Sequence, residues 1–394
     1  MDRGAGDPLS IKYVRDIVSD TTSASYSRLR MCGSDGVAGS ITVFGPSAGT
    51  FFLSEKLLTC DDFDNVNGRA VPDGLPDFAG ETVAVVSDLA NEPYYGYLRK
   101  SNSEFLREIA VRSFFDMIDT TALLSQYDRK LGERKAGAKV IVLSSSYLSA
   151  YGYYDINSLL KASGRNIHVI SPVHSMLRYA FARHGAGMNL AVWTTPEIEE
   201  AGIYPAVNNS LSVDYPELDY EVLCPEQGHV NDRILSFLRQ YKASGKTAAL
   251  DAAIVDEISL PAADLNSALN ELWDNVDDSL IVYKSLISDD FEFIDAATAV
   301  IAECEKTMRA SNLFTHRIAY PAADFYATIP VPGMAQADYD GDGFYTDEFK
   351  YNRAPSSDQE TFVLVKMKSR TLPDSLADEL RALTPTMFEN YVSD

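Results

Sequence analysis

The stretch Asp88-Leu-Ala-Asn-Glu-Pro93-Tyr94-Tyr95 groups a carboxylate, a proline and two phenols directly behind an apolar, β-branched run at residues 81–87. A buried strand ending in such a loop offers acids and hydroxyls at its C-terminal end, the usual ligand position in an open α/β sheet. Three serines, Ser144-Ser145-Ser146, and Tyr147 stand behind a second apolar run at residues 138–143. Asp88, His168, His174 and Glu226 all fall near expected strand ends, and a pair of them on opposite faces of a substrate would remove and return a proton. His168 lies inside an apolar run and His174 at a helix start, where packing or capping is the commoner role for histidine. Cys224 and His229 are close in sequence, a thiol and imidazole couple that would favour a thiolate.

A second constellation lies near the C-terminus. Asp338, Asp340 and Asp342 alternate ahead of Gly343, with Phe344 and Thr346 beyond. This is the Asp-x-Asp-x-Asp-Gly spacing of an EF-hand-like loop, in which oxygen ligands converge on Ca2+ and the glycine permits a sharp turn. The last position of such a loop should be glutamate, yet it is Phe349, and Glu348 comes one residue early. Pro330, Pro332 and Gly333 argue against an entering helix. Both a structural calcium loop and a solvated acidic turn are open readings.

The elements needed to position these residues follow from periodicity. A strand at 41–44, the turn Gly45-Pro46-Ser47-Ala48-Gly49 and a helix at 51–58 form the first unit, followed by an exposed insertion at 60–80. After the 81–87 strand, Ser101-Asn-Ser-Glu104 fits a capping box. Behind it, Phe105, Leu106, Ile109, Ala110, Phe114, Met117 and Ile118 share one helical face. Strand, loop and helix recur at 138–143, at 166–170 with a helix from Val173 that Gly185 ends, at 188–194 and at 279–283. This alternation predicts an α/β fold with mainly parallel sheets flanked by helices. Residues 1–40 read as an arm with one helix at 11–18, and 313–394 as an appended C-terminal subdomain with a strand at 361–368.

The loops resemble those of the glutamate racemase family in the aspartate/glutamate racemase superfamily. Asp88 to Tyr94 keeps the spacing of the family's Gly-Asp-x-Ala-x-x-Pro-Tyr-Gly loop, with Ser87 and Tyr95 in place of the two glycines. Val43-Phe44, Ser149-Ala150, Thr195 with Gly202 and Tyr204, Cys224-Pro225 and Phe293-Ile294-Asp295-Ala296 follow in family order, so that the resemblance spans residues 41–310. It implies two pseudo-symmetric lobes, the first from 41–165 and 280–312, the second from 166–279. It also implies cofactor-independent racemisation by two thiols, one as base and one as acid, with Pro93, Tyr94, Tyr95, Ser146 and Thr195 as ligand contacts.

Both thiols are missing. The first position falls at Ser145, a hydroxyl too weakly acidic to substitute without a dedicated base. The second belongs to a Gly-Cys-Thr-His-Tyr-Pro loop, expected after Leu280-Ile-Val-Tyr283, where Lys284-Ser285-Leu286 follow with most of the loop deleted. The family's Asp-Ser after the first strand corresponds to Gly45-Pro46. The resemblance therefore implies a degenerate member, silent for two-thiol racemisation, that binds a small carboxylate or amino acid or serves as a structural or regulatory subunit. The alternative is a divergent amino-acid racemase or isomerase using Asp88, Glu226 or His174 as acid and base, and a third reading gives the function to protein contacts of the C-terminal addition.

A net charge of −23 over 394 residues repels nucleic acid and anionic membranes. Cys32, Cys60, Cys224 and Cys304 are scattered without metal or disulfide spacing, which fits a reducing, cytoplasmic setting. The N-terminal residues lack the apolar segment of a signal peptide, and no apolar run is long enough to span a bilayer. A homo-oligomer is kept open beside a monomer.

Overall fold

The computed structural model describes residues 11–31, 36–127, 129–185, 187–211, 218–274, 280–356, 359–368 and 371–393. Among them run twelve strands: β1 (Ser40–Gly45), β2 (Thr82–Ser87), β3 (Thr121–Leu123), β4 (Gly132–Arg134), β5 (Ala138–Leu143), β6 (His168–Ile170), β7 (Leu190–Trp193), β8 (Tyr220–Leu223), β9 (Leu250–Val255), β10 (Ile287–Asp295), β11 (Ala322–Pro330) and β12 (Phe362–Lys366). The protein is α/β. Among the described residues, one compact unit comprises residues 11–171 and 301–393, the other 172–300.

The first unit holds an eight-stranded sheet in the order β4-β3-β12-β11-β2-β1-β5-β6. Its centre is parallel, with β1 between β2 and β5 and β11 parallel to β2. β12 runs antiparallel to β11. The apolar runs of β1, β2 and β5 are buried because helices cover both faces. On one face Phe44, Ala84, Val86, Ile141 and Leu143 join the helix Ser103–Ile118, whose Phe105, Leu106, Ile109, Phe114 and Met117 form the expected core stripe. Burying each such phenylalanine contributes about 1.5–3 kcal/mol. On the other face lies the helix Ser47–Thr59, where the Phe51 ring sits 5.7 Å from Phe325 and 6.0 Å from Tyr391.

The N-terminal arm is part of this unit. Helices Lys12–Ser19 and Ala24–Met31 place Val14, Ile17 and Leu29 in the same core. Arg112 lies 4.6 Å from the Tyr13 ring, and Arg28 binds Asp116 and Asp119. Residues 1–10 and Cys32 lie outside the described residues.

Several expectations are corrected. Residues 313–394 are not a separate subdomain, because β11 pairs with β2 and carries β12 into the same sheet. The expected strand at 279–283 is the helical turn Ile281–Lys284, with Ser279 outside the described residues, and the strand comes later as β10. The compact unit accordingly runs on to Val300, beyond the boundary expected at 279. The capping box is not made: Ser101 has φ 55°, and the helix starts at Ser103 behind Asn102, which gives no side-chain cap. Asn102 Nδ2 donates instead to the carbonyls of Tyr351 and Arg353, at 2.9 and 2.8 Å.

The second unit holds a four-stranded parallel sheet, β10-β9-β7-β8. Its core gathers Trp193, Phe237, Leu265 and Phe293, with Trp193 stacked on Phe237 at 5.4 Å. Among the described residues no helix is long and apolar enough to cross a membrane.

Candidate functional site

Because β1, β2 and β5 are adjacent and parallel, the loops after them meet at one end of the eight-stranded sheet. Those loops carry Pro46-Ser47, Asp88 to Tyr95 and Ser144 to Tyr147, so Asp88, Pro93, Tyr94, Tyr95, Ser145 and Ser146 all lie at that end of the sheet. Gly45 permits the approach, since a Cβ there would lie 2.4 Å from Ser144 Oγ on a residue with φ 149°.

Asp88 is fully buried, and its amide donates to the Gly45 carbonyl at 2.9 Å. Its carboxylate accepts from Asn91 Nδ2 and from the Tyr94 hydroxyl, both at 2.7 Å, and from Thr328 Oγ1 on β11. Burial raises its pKa, while these three donors oppose the rise by stabilising the anion. Burial, together with the adjacent Asp88, also holds the Tyr94 phenol well above its ordinary range.

Glu92 turns to the other strand end. Its carboxylate accepts from the Ser47 amide at 2.7 Å and from Ser47 Oγ at 2.8 Å. Burial pushes its pKa up to about 7 against those two bonds, with Asp88 adding to the rise and Lys350 opposing it.

The C-terminal chain clamps the loop from outside. Lys350 Nζ donates to the Glu92 carbonyl at 2.9 Å and the Tyr351 hydroxyl to the Pro93 carbonyl at 3.1 Å. Arg353 donates to Asn91 Oδ1 at 2.8 Å, to the Tyr97 hydroxyl at 3.1 Å and to Thr361 Oγ1 at 2.6 Å. Its guanidinium also lies 4.7 Å from the Phe105 ring and 5.4 Å from Tyr345. Gly96 makes room for this clamp, as a Cβ there would come within 2.1 Å of the Tyr351 ring.

Ser145 caps the helix Ser146–Ala150, its Oγ accepting from the Tyr147 amide at 3.2 Å. Ser144 Oγ is 2.8 Å from Thr50 Oγ1. Tyr95 and Tyr147 face each other with ring centres 6.4 Å apart.

The remaining candidates belong to the second unit. Thr195 follows β7 and is half-buried at the start of Pro196–Glu200, without a side-chain capping bond. Glu226 is exposed after β8, its amide donating to Ser236 Oγ at 3.2 Å. His174 is fully buried in the helix Pro172–His184, and burial aided by Arg178 holds it well below its ordinary pKa, hence neutral. The Cys224 thiol donates to Glu199 at 3.3 Å rather than meeting His229, which is exposed at the start of Val230–Ala243. Burial, reinforced by Glu199, pushes Cys224 up to about 12, the opposite of an activated thiol. In the first unit, His168 Nε2 pairs with Ser311 Oγ at 3.0 Å, and burial lowers its pKa.

The loop sought after residues 280–283 does not follow a strand there. The six-residue segment Asp256-Glu257-Ile258-Ser259-Leu260-Pro261 follows β9 and ends in proline like the expected loop. Glu257 in that segment pairs with Arg233 at 3.0 Å, and Arg233 lies 5.2 Å from the Trp193 ring.

In the 338–346 turn, Asp340 Oδ1 accepts from the amides of Asp342 and Phe344 at 3.0 and 2.9 Å, and Asp338 Oδ2 from the Ala335 amide at 3.1 Å. The Phe344 carbonyl accepts from the Asp340 amide at 2.7 Å, and Thr346 caps the short helix Asp347–Tyr351. Among the described residues no three His, Cys, Asp or Glu side chains gather as a metal-binding group.

Sequence reasoning missed Ser47, Glu92, Thr328 and Arg353. Glu92 was visible inside the motif, but its partner in the Gly45 to Gly49 turn was not.

No family model and no curated protein matches the sequence. Among solved structures, glutamate racemase from Francisella tularensis in complex with D-glutamate is similar at 14% identity and a TM-score of 0.44, over 74% of this chain and 88% of that one. Glutamate racemase from Thermus thermophilus in complex with β-chloro-D-alanine gives 16% identity and a TM-score of 0.43 over the same shares. An unliganded arylmalonate decarboxylase gives 12% and 0.29, over 61% of this chain and 97% of that one.

Proposed function

We propose that the chain is a racemase-like α/β protein, silent for two-thiol racemisation, that keeps a small-carboxylate-binding or structural role. The observation that supports this most is the state of Asp88. Its carboxylate is buried and satisfied by Asn91, Tyr94 and Thr328, so a substrate proton would have to displace protein donors before it could be taken. Ser145 adds to the reading, for its hydroxyl oxygen serves a helix amide and no histidine or carboxylate is bonded to it among the described contacts. The loop that would receive a ligand is pinned from behind by Lys350, Tyr351 and Arg353.

The competing reading, a divergent isomerase, draws on Glu92, a carboxylate poised near neutrality at the same strand ends. Circular dichroism of D- and L-glutamate and D- and L-aspartate incubated with the protein decides between the two. No change in optical rotation, together with a thermal stabilisation by one of these acids, is the expected result. Turnover that disappears in Glu92→Gln would overturn it.

A further inference from the structure

Among the described residues eleven large apolar side chains are exposed, and five of them come from two short segments of the first unit. Val66, Val71 and Leu75 lie in the insertion at 60–80, with Val66 88% exposed. Ile318 and Tyr320 lie in the segment after Thr315, with Tyr320 80% exposed and Ile318 fully so. Distant in sequence, the two segments pack side by side. The Gly80 amide donates to the Ala319 carbonyl at 2.7 Å, the Phe78 and Phe314 rings stack at 6.1 Å, and a Cβ on Gly68 would lie 2.4 Å from Arg309 Nε. A sixth of the eleven, Val37, borders a cavity of about 370 Å3 beside them, together with Ala38, Gly80, Thr82, Thr315 and Arg317. Singly scattered apolar residues are ordinary on a surface, whereas a group of this kind marks a contact site. At these exposures the five side chains offer on the order of 600 Å2, close to the roughly 800 Å2 per partner of a specific interface once flanking residues are added.

We propose that this surface joins two copies of the chain about a two-fold axis. Its charges point to a second copy rather than to a partner of one sign. Asp62 and Asp73 are exposed on the insertion, and Arg69, His316 and Arg317 are exposed around them. A two-fold operation sets the same patch on both copies face to face, so the basic segment of one meets the acidic insertion of the other, and the reverse. Shape agrees with charge. Ile318 and Tyr320 project beside the cavity, so each copy seats an apolar side chain in the cavity of the other. Glu81, the acid in the cavity wall, is buried and paired with Lys139 at 2.6 Å, and presents no charge to an incoming side chain. Two chains of net charge −23 repel each other, and the bases gathered here ease that repulsion where the copies meet.

Sedimentation equilibrium of the full chain, over about 1 to 100 µM, is the test. The wild type should move from the mass of one chain towards that of two across the range. Ile318→Asp and Tyr320→Asp each put a charge into the apolar centre and should weaken the association at least roughly tenfold. Both residues are exposed, so the core is untouched, and far-ultraviolet circular dichroism checks that each variant keeps its fold. Ile281→Asp, at an exposed isoleucine of the other unit, should associate like the wild type. A wild type that stays at the mass of one chain throughout would overturn the proposal and leave the patch to a partner of different sequence. Association that survives Ile318→Asp and Tyr320→Asp together, or that Ile281→Asp weakens as much, would overturn it by placing the contact elsewhere or making it unspecific.

Discussion

The parallel strand ends of the two sheets treat their acids differently. After β2, Asp88 is buried under three protein donors and Glu92 is held by Ser47, while the C-terminal chain covers the loop from outside. After β7 and β8, Glu199 and Glu226 stand exposed, and Cys224 is tied to one of them as a neutral thiol. A buried carboxylate bonded to two or three protein donors is held in the framework, whereas one in water is free to change partner at little energetic cost. The sequence motif that most resembles a substrate loop is thus the most structural segment of the first sheet, and the less distinctive loops after β7 and β8 are the accessible ones.

That contrast is broken most severely at Asp88. Asp88→Ala leaves the Asn91 amide, the Tyr94 hydroxyl and the Thr328 hydroxyl without their acceptor in a dry site, and should cost roughly 3 kcal/mol or more. A urea titration followed by far-ultraviolet circular dichroism measures it. Arg353→Ala removes the hydrogen bonds to Asn91, Tyr97, Thr361 and the Lys350 carbonyl and the contact with the Phe105 ring, an expected loss of about 2–3 kcal/mol. Arg353→Lys should recover less than half of that, because an ammonium cannot reproduce the planar fork. Gly96→Ala drives a methyl into the Tyr351 ring and should cost about 1–3 kcal/mol as the clamp shifts. Glu226→Ala, on the exposed side of the comparison, should stay within about 0.5 kcal/mol. A large loss there, or none at Asp88, would erase the distinction between the two ends.

How much of this was legible follows from sequence separation and exposure. The helix Ser103–Ile118 and strands β1, β2 and β5 were readable because their apolar residues repeat at the period of a fully buried element. β9 is rich in alanine, β10 carries Asp289 and Asp290 on exposed positions, and β8 is only half-buried, so none gave a clear β signal. The insertion of β11 beside β2 was invisible, because pairing partners so distant in sequence leave no local trace. The site divides in the same way. Asp88, Pro93 and Tyr94 were found from one contiguous motif, but Thr328 lies 240 residues from Asp88 and Arg353 lies 262 residues from Asn91. The bonding of the loop depends on those distant partners, with Thr328 donating to the Asp88 carboxylate and Arg353 to Asn91.

A pH titration sharpens the same comparison at lower amplitude. Glu92 has an ordinary pKa of 4.5 in the unfolded chain and about 7 in the folded protein. Its bound proton therefore stabilises the fold fully below 4.5, and that contribution fades as pH rises through 7. Asp116, also raised to about 7 by burial, with Asp119 adding to the rise and Arg28 opposing it, acts with the same sign. The melting temperature should fall between about pH 5 and pH 8, and Glu92→Gln should flatten the Glu92 part of that fall, on the order of 1 kcal/mol, leaving the Asp116 part. A pH profile identical in wild type and Glu92→Gln would mean that Glu92 titrates like an exposed acid and would place it with Glu226.

The smallest effect is expected from calcium. In the 338–346 turn Asp340 Oδ1 is engaged by two backbone amides, Asp338 Oδ2 by a third, and the Phe344 carbonyl by a fourth. These bonds order the turn, and an arriving Ca2+ would have to share the Asp338 and Asp340 carboxylates and the Phe344 carbonyl with the amides already bound to them. Calcium chloride at about 1 mM should therefore raise the melting temperature by no more than magnesium chloride does, and Asp342→Asn should leave the melt unchanged. A saturable rise specific to calcium and lost in Asp342→Asn would show that the turn rearranges around the ion, and would make it a metal-dependent element on the same chain that clamps the Asp88 loop.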